Sequence, residues 1–316
     1  MRLIRGLYNC PKQLFSQGSV ATIGNFDGVH LGHQAIIKKL TAKAIDLSLP
    51  SVVVLFEPHA QEFFRPEQAP ARLYKLTGKI MALKKLGVDY VLCLRFADEL
   101  ANLSAQDFVR RVLNQHLNIK HLFIGDDFRF GHKRQGDFEL LKSYDFAVEA
   151  NQSVTIELDD SEVRISSSLV RDLIEQGQFA LTSKVLGKNY RIHGKVAHGD
   201  KQGRQIGVPT ANIALKRRKS PLKGVYAVKV YMANEADGND GDVLNGVANI
   251  GRKPTLKDSS ERLEVHLLDF DKDIYGRRIS VEPIAKIRDE QKFESIEALK
   301  KQIQHDIKTA QAIFEQ

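Results

Sequence analysis

The chain has 316 residues, of which 42% are hydrophobic and 27% are charged. This length exceeds what one hydrophobic core usually holds, so we expect two folded domains. No apolar run approaches the roughly 18 residues that span a bilayer, which excludes an integral membrane protein. Arg2, Arg5 and Lys12 interrupt any signal-peptide core, and two cysteines are too few for a disulfide framework. We therefore expect a cytoplasmic protein in which Cys10 and Cys93 are reduced.

Basic residues outnumber acidic residues. There are 47 lysines and arginines against 39 aspartates and glutamates, a formal net charge of +8. Such a surplus attracts polyanions or phosphorylated small molecules, and charge alone does not choose between them. The densest basic run, 216–219, is four residues long and has no interleaved aromatic residue. We interpret it as a solvated loop rather than a nucleic-acid patch.

The first half of the chain alternates apolar runs of strand character with amphipathic stretches of helical spacing. This alternation is typical of a parallel α/β sheet with crossover helices. One such helix is predicted over 103–117, with Ser104 as its N-cap. The predicted strands are 19–23, 51–56, 90–95, 121–124 and 153–158.

From about residue 184 the pattern changes to short β-rich runs separated by glycine and proline. Such runs predict an antiparallel sheet closed into a small barrel. Helical spacing returns over 295–314, which predicts a C-terminal helix packed against the barrel. We therefore expect an α/β domain over residues 1–183 and a barrel domain over 184–316. The β-rich runs are 190–196, 224–231, 243–250, 262–270 and 279–281.

A glycine-bearing turn follows the predicted strand at 19–23 and leads directly into a helix. Its sequence is G-N-F-D-G-V-H-L-G-H, residues 24–33. A strand, a turn and a helix N-terminus together form an architecture that receives phosphate groups. Gly28 and Gly32 permit close backbone approach, while His30 and His33 can donate to the oxygens of a nucleoside triphosphate. The spacing matches neither the P-loop nor the G-x-G-x-x-G pattern.

Three further segments are expected near this turn. F-E-P-H at 56–59 and G-D-D-F-R-F-G at 125–131 follow strand ends, and S-S-S-L-V-R at 166–171 opens a helix. The carboxyl ends of parallel strands line one crevice, which would bring the first two segments together. Arg171 can bind a phosphate together with free backbone amides, although serines at a helix start also serve as caps.

These four motifs resemble the adenylyltransferase half of the bacterial bifunctional riboflavin kinase/FAD synthetase family. The resemblance implies a nucleotidyltransferase-type α/β domain that joins AMP from ATP to FMN and releases pyrophosphate. It implies that His30 and His33 contact the ATP phosphates. The family often has threonine where this chain has Ser168, and the hydroxyl is retained.

The resemblance also implies roles for the other motif residues. Asp127 and His59 would lie near the flavin nucleotide, and the triphosphate tail would be held by Ser167, Ser168 and Arg171. The turn residues implied in nucleotide binding are Gly24, Asn25, Phe26, Asp27, Gly28 and Gly32.

The β-rich half contains a second pair of candidate motifs. G-R-Q-I-G-V-P-T-A-N at 203–212 places Thr210 and Asn212 two residues apart. Their neutral oxygens suit Mg²⁺ carried in with a nucleotide, although an ordinary turn is the alternative interpretation. L-E-V-H-L-L at 263–268 alternates as a strand, with Glu264, His266 and Leu268 on one face. We expect Glu264 to face inward, where general-base duty would explain a carboxylate.

This half resembles the riboflavin kinase module of the same family. The resemblance extends over G-V-Y-A-V at 224–228, G-V-A-N-I-G-R-K-P-T at 246–255 and the segment 263–276. It implies a six-stranded barrel in which Thr210 and Asn212 bind Mg²⁺ with ATP, and Glu264 takes the proton from the riboflavin 5′-hydroxyl. The family commonly has arginine before Pro-Thr, where this chain has Lys253. The nucleotide-binding residues of this half are expected to include Gly203, Gly207 and Pro209.

Together the two resemblances cover nearly the whole chain and imply a bifunctional enzyme. The implied partners are ATP, riboflavin, FMN and the product FAD, with no nucleic acid, no membrane and no tightly bound prosthetic group. Two alternatives remain. Only one of the two sites works, or the chain is a basic nucleic-acid-binding protein, which would leave the histidine pair unexplained.

Overall fold

The computed structural model describes residues 1–11, 13–158, 161–197, 207–215, 219–233, 240–252 and 261–315. Its contacts divide the chain into two compact units, residues 1–70 with 74–167, and residues 71–73 with 168–316. Three parts of the motifs lie outside the described residues: residues 203–206, the basic residues 216–218, and residues 253–255.

The first unit contains a parallel sheet of six strands in the order β1-β4-β3-β2-β5-β6. Its central strands consist largely of valine, leucine and isoleucine, because a parallel sheet is covered on both faces. This confirms the predicted fold class of the first half. The strands are β1 (Arg2–Arg5), β2 (Ser19–Ile23), β3 (Ser51–Glu57), β4 (Tyr90–Arg95), β5 (Ile119–Gly125) and β6 (Ala147–Asn151).

Helices cover the two faces of this sheet. Helix α1 packs on β2, β3 and β5 and buries Ile37 and Leu40, while α5 and the π-helical segment that continues it bury Phe108 and Val112 in the other layer. Ser104 caps α5 by accepting a hydrogen bond from Asp107 N at 3.0 Å. The helices are α1 (Leu31–Asp46), α2 (Ala60–Phe64), α3 (Leu76–Lys85), α4 (Asp98–Ala101), α5 (Ala105–Phe108, then Val109–His116) and α6 (Phe138–Lys142).

The prediction of a parallel strand at 153–158 is wrong. Residues Thr155–Leu158 (β7) instead pair antiparallel with Ser161–Arg164 (β8), as a separate two-stranded ribbon. The sixth strand of the sheet is β6, which was not predicted. It is an edge strand with three exposed residues among its five, so it lacks the apolar run by which the inner strands were found.

The order of the strands places a topological switch between β2 and β5. From β2 the chain adds β3 and β4 on one side, and then β5 and β6 on the other. Ligands of open α/β sheets bind at the carboxyl ends of the strands at such a point. The turn after β2 and the loop after β5 are therefore at the position where a ligand is expected.

The second unit is built around a closed barrel of six strands in the order β10-β13-β12-β11-β14-β9. Every neighbouring pair is antiparallel, including the pair β9 and β10 that closes the barrel. This confirms the predicted fold class of the second half. Its elements are α7 (Ser167–Glu175), α8 (Phe179–Leu186), β9 (Ile192–Ala197), β10 (Ala211–Ala214), β11 (Gly224–Ala233), β12 (Asp240–Arg252), β13 (Glu261–Leu267), β14 (Arg278–Arg288) and α9 (Ile296–Phe314).

The C-terminal helix α9 packs on the outside of the barrel, as predicted. Ala310 contributes to an apolar cluster with Val225, Ala227 and Val247. Ser295 caps the helix by accepting a hydrogen bond from Ala298 N at 3.1 Å. Among the described residues, no helix is long and apolar enough to cross a membrane.

An ion pair between Arg288 and Asp306 joins α9 to the barrel. Arg288 Nε lies 2.9 Å from Asp306 Oδ1, and a terminal nitrogen lies 2.8 Å from Oδ2, so the contact is bidentate. Gln302 Nε2 donates to Asp306 Oδ1 at 2.9 Å. Asp306 is only 2% exposed, so its charge depends on these partners.

We expect Asp306→Ala to lower the free energy of unfolding by about 3 kcal/mol, because it leaves a partly buried arginine without its counter-charge. Urea unfolding followed by circular dichroism measures the change. The control is Asp289→Ala, which removes an exposed pair with Lys286 and should cost less than about 1 kcal/mol. Equal losses in the two variants would contradict the role assigned to Asp306.

Candidate active sites

The turn between β2 and α1 has an unusual backbone. Phe26, Gly28 and Val29 have φ angles of 46°, 81° and 46°. This left-handed region suits glycine, and a β-branched residue in it is strained. Phe26 and Val29 are only 2% and 1% exposed, so their burial offsets the strain. The conformation of the turn is therefore fixed by the core beneath it.

Hydrogen bonds from distant parts of the first unit also hold this turn. The buried Asp27 carboxylate accepts a hydrogen bond from Tyr74 N at 2.9 Å. Ser167 Oγ donates to the carbonyl oxygen of Asp27 at 2.9 Å, and Gln34 Nε2 donates to Val29 O at 2.9 Å. Asp27 and Ser167, both predicted to bind nucleotide, thus form bonds within the protein that shape the turn.

The structure brings His30 and His33 together. His30 is the N-cap of α1, and its Nδ1 accepts a hydrogen bond from His33 N at 3.3 Å. The two imidazole rings stack with centroids 3.6 Å apart. Because His30 Nδ1 accepts, the proton of the neutral ring is on Nε2, which makes that atom a donor.

Two glycines make room for the rings around this pair. A Cβ on Gly32 would lie 3.2 Å from atoms of the His30 ring, and one on Gly24 would lie 3.0 Å from the Phe26 ring. The Phe26 ring in turn contacts His33, with centroids 4.9 Å apart. Asn25, between Gly24 and Phe26, is half-buried.

The environment of His33 favours its neutral form. Burial, followed by the charges of His30 and Lys79, lowers the pKa of His33 well below its usual value of about 6.5. Its Nδ1 is buried and has no hydrogen-bond partner among the described residues. The imidazole is therefore uncharged at pH 7.

Lys79 was not identified from the sequence. It is 5% exposed and lies on the buried side of α3 with Ala82 and Leu83. The spacing in the sequence could have indicated its burial. Lys79 precedes Ala82 by three positions and Leu83 by four, so all three lie on the core-facing stripe of a helix.

The loops after β3 and β5 carry His59 and Asp127. His59 is the N-cap of the short helix α2, and its Nδ1 accepts a hydrogen bond from Gln61 N at 3.1 Å. Asp127 is exposed, and its Oδ2 lies 3.6 Å from a terminal nitrogen of Arg164 on β8. The β7–β8 ribbon therefore contacts the loop that follows β5.

Helix α7 begins with the predicted serines. Ser168 is exposed and Arg171 is half-buried in the next turn. Arg171 Nε donates to the carbonyl oxygen of Ala71 at 2.5 Å, within the second unit. This bond fixes the guanidinium plane relative to residues 71–73.

In the barrel, Glu264 faces outward, so the prediction that it faces inward is wrong. Along β13, Leu263, Val265 and Leu267 are buried, whereas Glu264 and His266 are half-buried. Successive side chains of a strand point to opposite faces, and the apolar set fills the interior of the barrel. The shared face of Glu264 and His266 is confirmed, but it is the outer face.

The strand register places amide side chains on both sides of Glu264. Asn212 of β10 is directly opposite Glu264, and Asn249 of β12 is opposite it on the other side. Residues paired in this way have Cβ atoms about 5 Å apart. The three side chains form a polar row on the outer face. Asn249 was not identified from the sequence, because its position beside Glu264 depends on the pairing of β12 with β13.

Thr210 lies beside this row at the start of β10. Asn212 Nδ2 is 3.5 Å from Thr210 Oγ1 and 3.3 Å from Thr210 O, so the two polar side chains converge. Before them, Gly207 has a φ of 81° and Pro209 is exposed. The amide nitrogen is the atom directed at the hydroxyl, so a magnesium ion, which prefers oxygen ligands and retains several waters, would be held by Thr210 Oγ1 and, with the amide turned, by Asn212 Oδ1.

The pKa shift of His33 has a consequence for stability. Below about pH 6.5 the unfolded chain takes up a proton on His33 that the folded chain does not, so the free energy of unfolding falls as the pH drops. We expect His33→Gln to lose less stability than wild type between pH 7.5 and pH 5.5, measured by urea unfolding. The control, Gln304→Ala on α9, removes no titratable group and should lose as much as wild type. If His33→Gln loses as much free energy of unfolding as wild type over this pH range, the lowered pKa of His33 is refuted.

Two family models match this chain. The model described as FAD synthetase matches residues 12–169, and the model described as riboflavin kinase matches residues 186–314. The predicted domain boundary between residues 183 and 184 lies in the interval between these two ranges.

A solved structure also matches nearly the whole chain. It is a crystal structure of a protein from Streptococcus pneumoniae named as a macrolide-efflux protein, with 29% sequence identity and a TM-score of 0.76. The match covers 98% of this chain and 99% of that chain, so the similarity extends over both units.

Curated relatives match from end to end. A protein from Haemophilus influenzae is 47% identical, and the match covers 99% of both chains. Proteins from Pseudomonas fluorescens and Escherichia coli are 49% and 46% identical, over 99% of this chain and 98% of theirs. All three are named bifunctional riboflavin kinase/FMN adenylyltransferase. The chain therefore belongs to the family of bifunctional riboflavin kinase/FMN adenylyltransferases.

Proposed function

We propose that this chain carries out two successive reactions on one flavin, each in its own unit. The barrel transfers the γ-phosphate of ATP to the 5′-hydroxyl of riboflavin, which gives FMN and ADP. The α/β unit then joins AMP from a second ATP to FMN, which gives FAD and pyrophosphate. The observation that carries the proposal is that each unit matches its own family model and has its own polar constellation.

In the α/β unit we assign ATP phosphate binding to His30 and His33. A neutral histidine beside a phosphate donates a hydrogen bond, and the helix N-terminus below it adds its partial positive charge. A phosphate oxygen of FMN attacks the α-phosphorus of ATP, and the bond to pyrophosphate breaks. Because this nucleophile is already ionised, the step needs positioning and charge neutralisation rather than a base.

We assign the remaining residues predicted for adenylyl transfer to two groups. We assign the triphosphate tail to Ser167, Ser168 and Arg171, because hydroxyls and a planar guanidinium are suitable donors to phosphate oxygens. His59 and Asp127 lie near the flavin nucleotide. The turn residues that give the backbone its shape for nucleotide binding are Gly24, Asn25, Phe26, Asp27, Gly28 and Gly32.

In the barrel we assign the general base to Glu264. Its carboxylate accepts the proton of the riboflavin 5′-hydroxyl as that oxygen attacks the γ-phosphorus of ATP. Thr210 and Asn212 would hold Mg²⁺, which enters with ATP and, when bound, neutralises phosphate charge. Gly203, Gly207 and Pro209 are assigned to nucleotide binding.

The substrates account for the charge of the chain. ATP, FMN and FAD are anionic, and a net charge of +8 favours their approach. The cytoplasmic location, the lack of a tightly bound prosthetic group and the lack of a nucleic-acid or membrane partner stay predictions.

We expect His33→Ala to reduce the conversion of FMN to FAD by at least about 100-fold, because it removes a donor to the developing phosphate charge. Riboflavin phosphorylation should stay within twofold of wild type, since the described residues assigned to it belong to the other unit and share no partner with His33. Chromatography of flavins formed from riboflavin and from FMN measures both rates. The control is His116→Ala, a half-buried histidine of the same unit, which should retain both activities. Equal loss of both activities in folded His33→Ala protein would refute the two-site proposal.

We expect Glu264→Gln to lower the kinase rate by roughly 10²–10⁴-fold, the usual contribution of a positioned base. Conversion of supplied FMN to FAD should persist, because its nucleophile needs no deprotonation. The exposed Glu294→Gln is the matched control and should phosphorylate riboflavin at the wild-type rate. A Glu264→Gln kinase rate within a few-fold of wild type would exclude Glu264 as the base.

A further inference from the structure

His266 occupies a particular place at the end of a strand pairing. The ladder between β10 and β13 ends with Ala211 opposite Val265. Continued by one residue, the same register would pair Thr210 with His266. Beyond the last backbone pair, the two segments are joined by a side-chain contact: His266 Nδ1 lies 2.9 Å from the carbonyl oxygen of Pro209.

This contact defines the tautomer of His266. A carbonyl oxygen only accepts hydrogen bonds, so Nδ1 carries the proton and donates it to Pro209 O. The carbonyl of Pro209 belongs to the planar peptide unit that continues into Thr210 N. Holding this oxygen therefore fixes the peptide plane from which the Thr210 side chain projects.

The backbone of His266 is itself closely confined. On its other side it pairs with Val247 of β12. A Cβ on the neighbouring Gly246 would lie 2.7 Å from His266 O, so the two strands approach at a distance that only glycine allows. The imidazole that holds Pro209 thus projects from a fixed part of the barrel.

We infer that His266 is a positioning residue for the metal–nucleotide site of the barrel. Its Nδ1–H holds Pro209 O, and this keeps the Thr210 hydroxyl converged with the Asn212 amide for binding of a divalent cation. The inference rests on the proposed kinase function and adds a residue to it. Residues that orient ligands in this way typically contribute 10–100-fold to metal affinity or activity, as an order of magnitude.

Metal binding can be measured without turnover. Mn²⁺ replaces Mg²⁺, and electron paramagnetic resonance counts free Mn²⁺ in the presence of the kinase products ADP and FMN. All proteins carry His33→Ala, so that nucleotide binding in the α/β unit is reduced. Two substitutions of His266 distinguish its ring nitrogens. The amide N–H of asparagine can lie near the position of Nδ1, whereas the amide N–H of the longer glutamine lies near the position of Nε2.

We expect His266→Gln to weaken Mn²⁺ binding by at least about tenfold and His266→Asn to stay within about threefold of the parent. His193→Gln is the matched control, because His193 also bonds through Nδ1, to Ser280 Oγ at 2.7 Å, but on β9. It should bind as the parent does. In kinase assays of His266→Gln, the half-saturating Mg²⁺ concentration should rise by a similar factor while the KM for riboflavin stays within twofold.

The outcomes separate this inference from the proposed function. If His266→Gln binds Mn²⁺ as the parent does, or if His266→Asn loses as much as His266→Gln, the positioning role is refuted and the kinase proposal stands. If the parent itself binds no Mn²⁺ with ADP and FMN and does not phosphorylate riboflavin, the kinase proposal fails. Glu264→Gln should retain Mn²⁺ binding, which separates loss of the base from loss of the metal site.

Discussion

The alternation of side chains along β13 determines where chemistry can take place in the second unit. Leu263, Val265 and Leu267 are buried on the inner face of the closed six-stranded barrel. Glu264 and His266 alternate with these three residues and are therefore on the outer face. The register then decides their neighbours, so that Glu264 comes to lie between Asn212 and Asn249. Strand pairing thus places the Glu264 carboxylate between two amide side chains, and the Thr210 hydroxyl lies just before the first paired residue of β10.

The α/β unit positions its polar side chains through a buried turn rather than through strand pairing. Its turn after β2 is held by buried Phe26 and Val29 and by the carboxylate of Asp27, all of which are directed into the protein. The histidines that we assign to ATP stand on this rigid base. In both units a polar side chain bonds to the backbone of a turn: Asp27 accepts from Tyr74 N in one unit, and His266 Nδ1 contacts Pro209 O in the other.

Much of the fold could be predicted from the sequence because the inner strands are buried on both faces. The bounds of β2 and β4 agree with their predicted ranges, 19–23 and 90–95. The edge strands β1 and β6 were missed, because their exposed residues break the apolar pattern. Glu264 was predicted to face inward, and this prediction was wrong. The alternating leucines and valine of the same segment already indicated that the opposite face is the inner one.

The candidate sites were predictable where they depend on local spacing. His30 and His33 are three residues apart on one helix start, and the structure stacks their rings. Contacts between distant segments could not be found in this way. Asp27 meets the backbone of Tyr74, 47 residues along the chain, and Lys79 lowers the pKa of His33 from another helix. Such contacts depend on tertiary packing, which spacing alone does not encode.

The central claim is that one chain uses two ATP molecules on one flavin, with a different phosphorus transferred each time. The most direct measurement supplies riboflavin with ATP labelled at either the γ- or the α-phosphorus and follows the label in separated FMN and FAD. The account predicts γ-label in both FMN and FAD, and α-label in FAD and not in FMN. α-Label in FMN, or FAD that carries no γ-label, would contradict it.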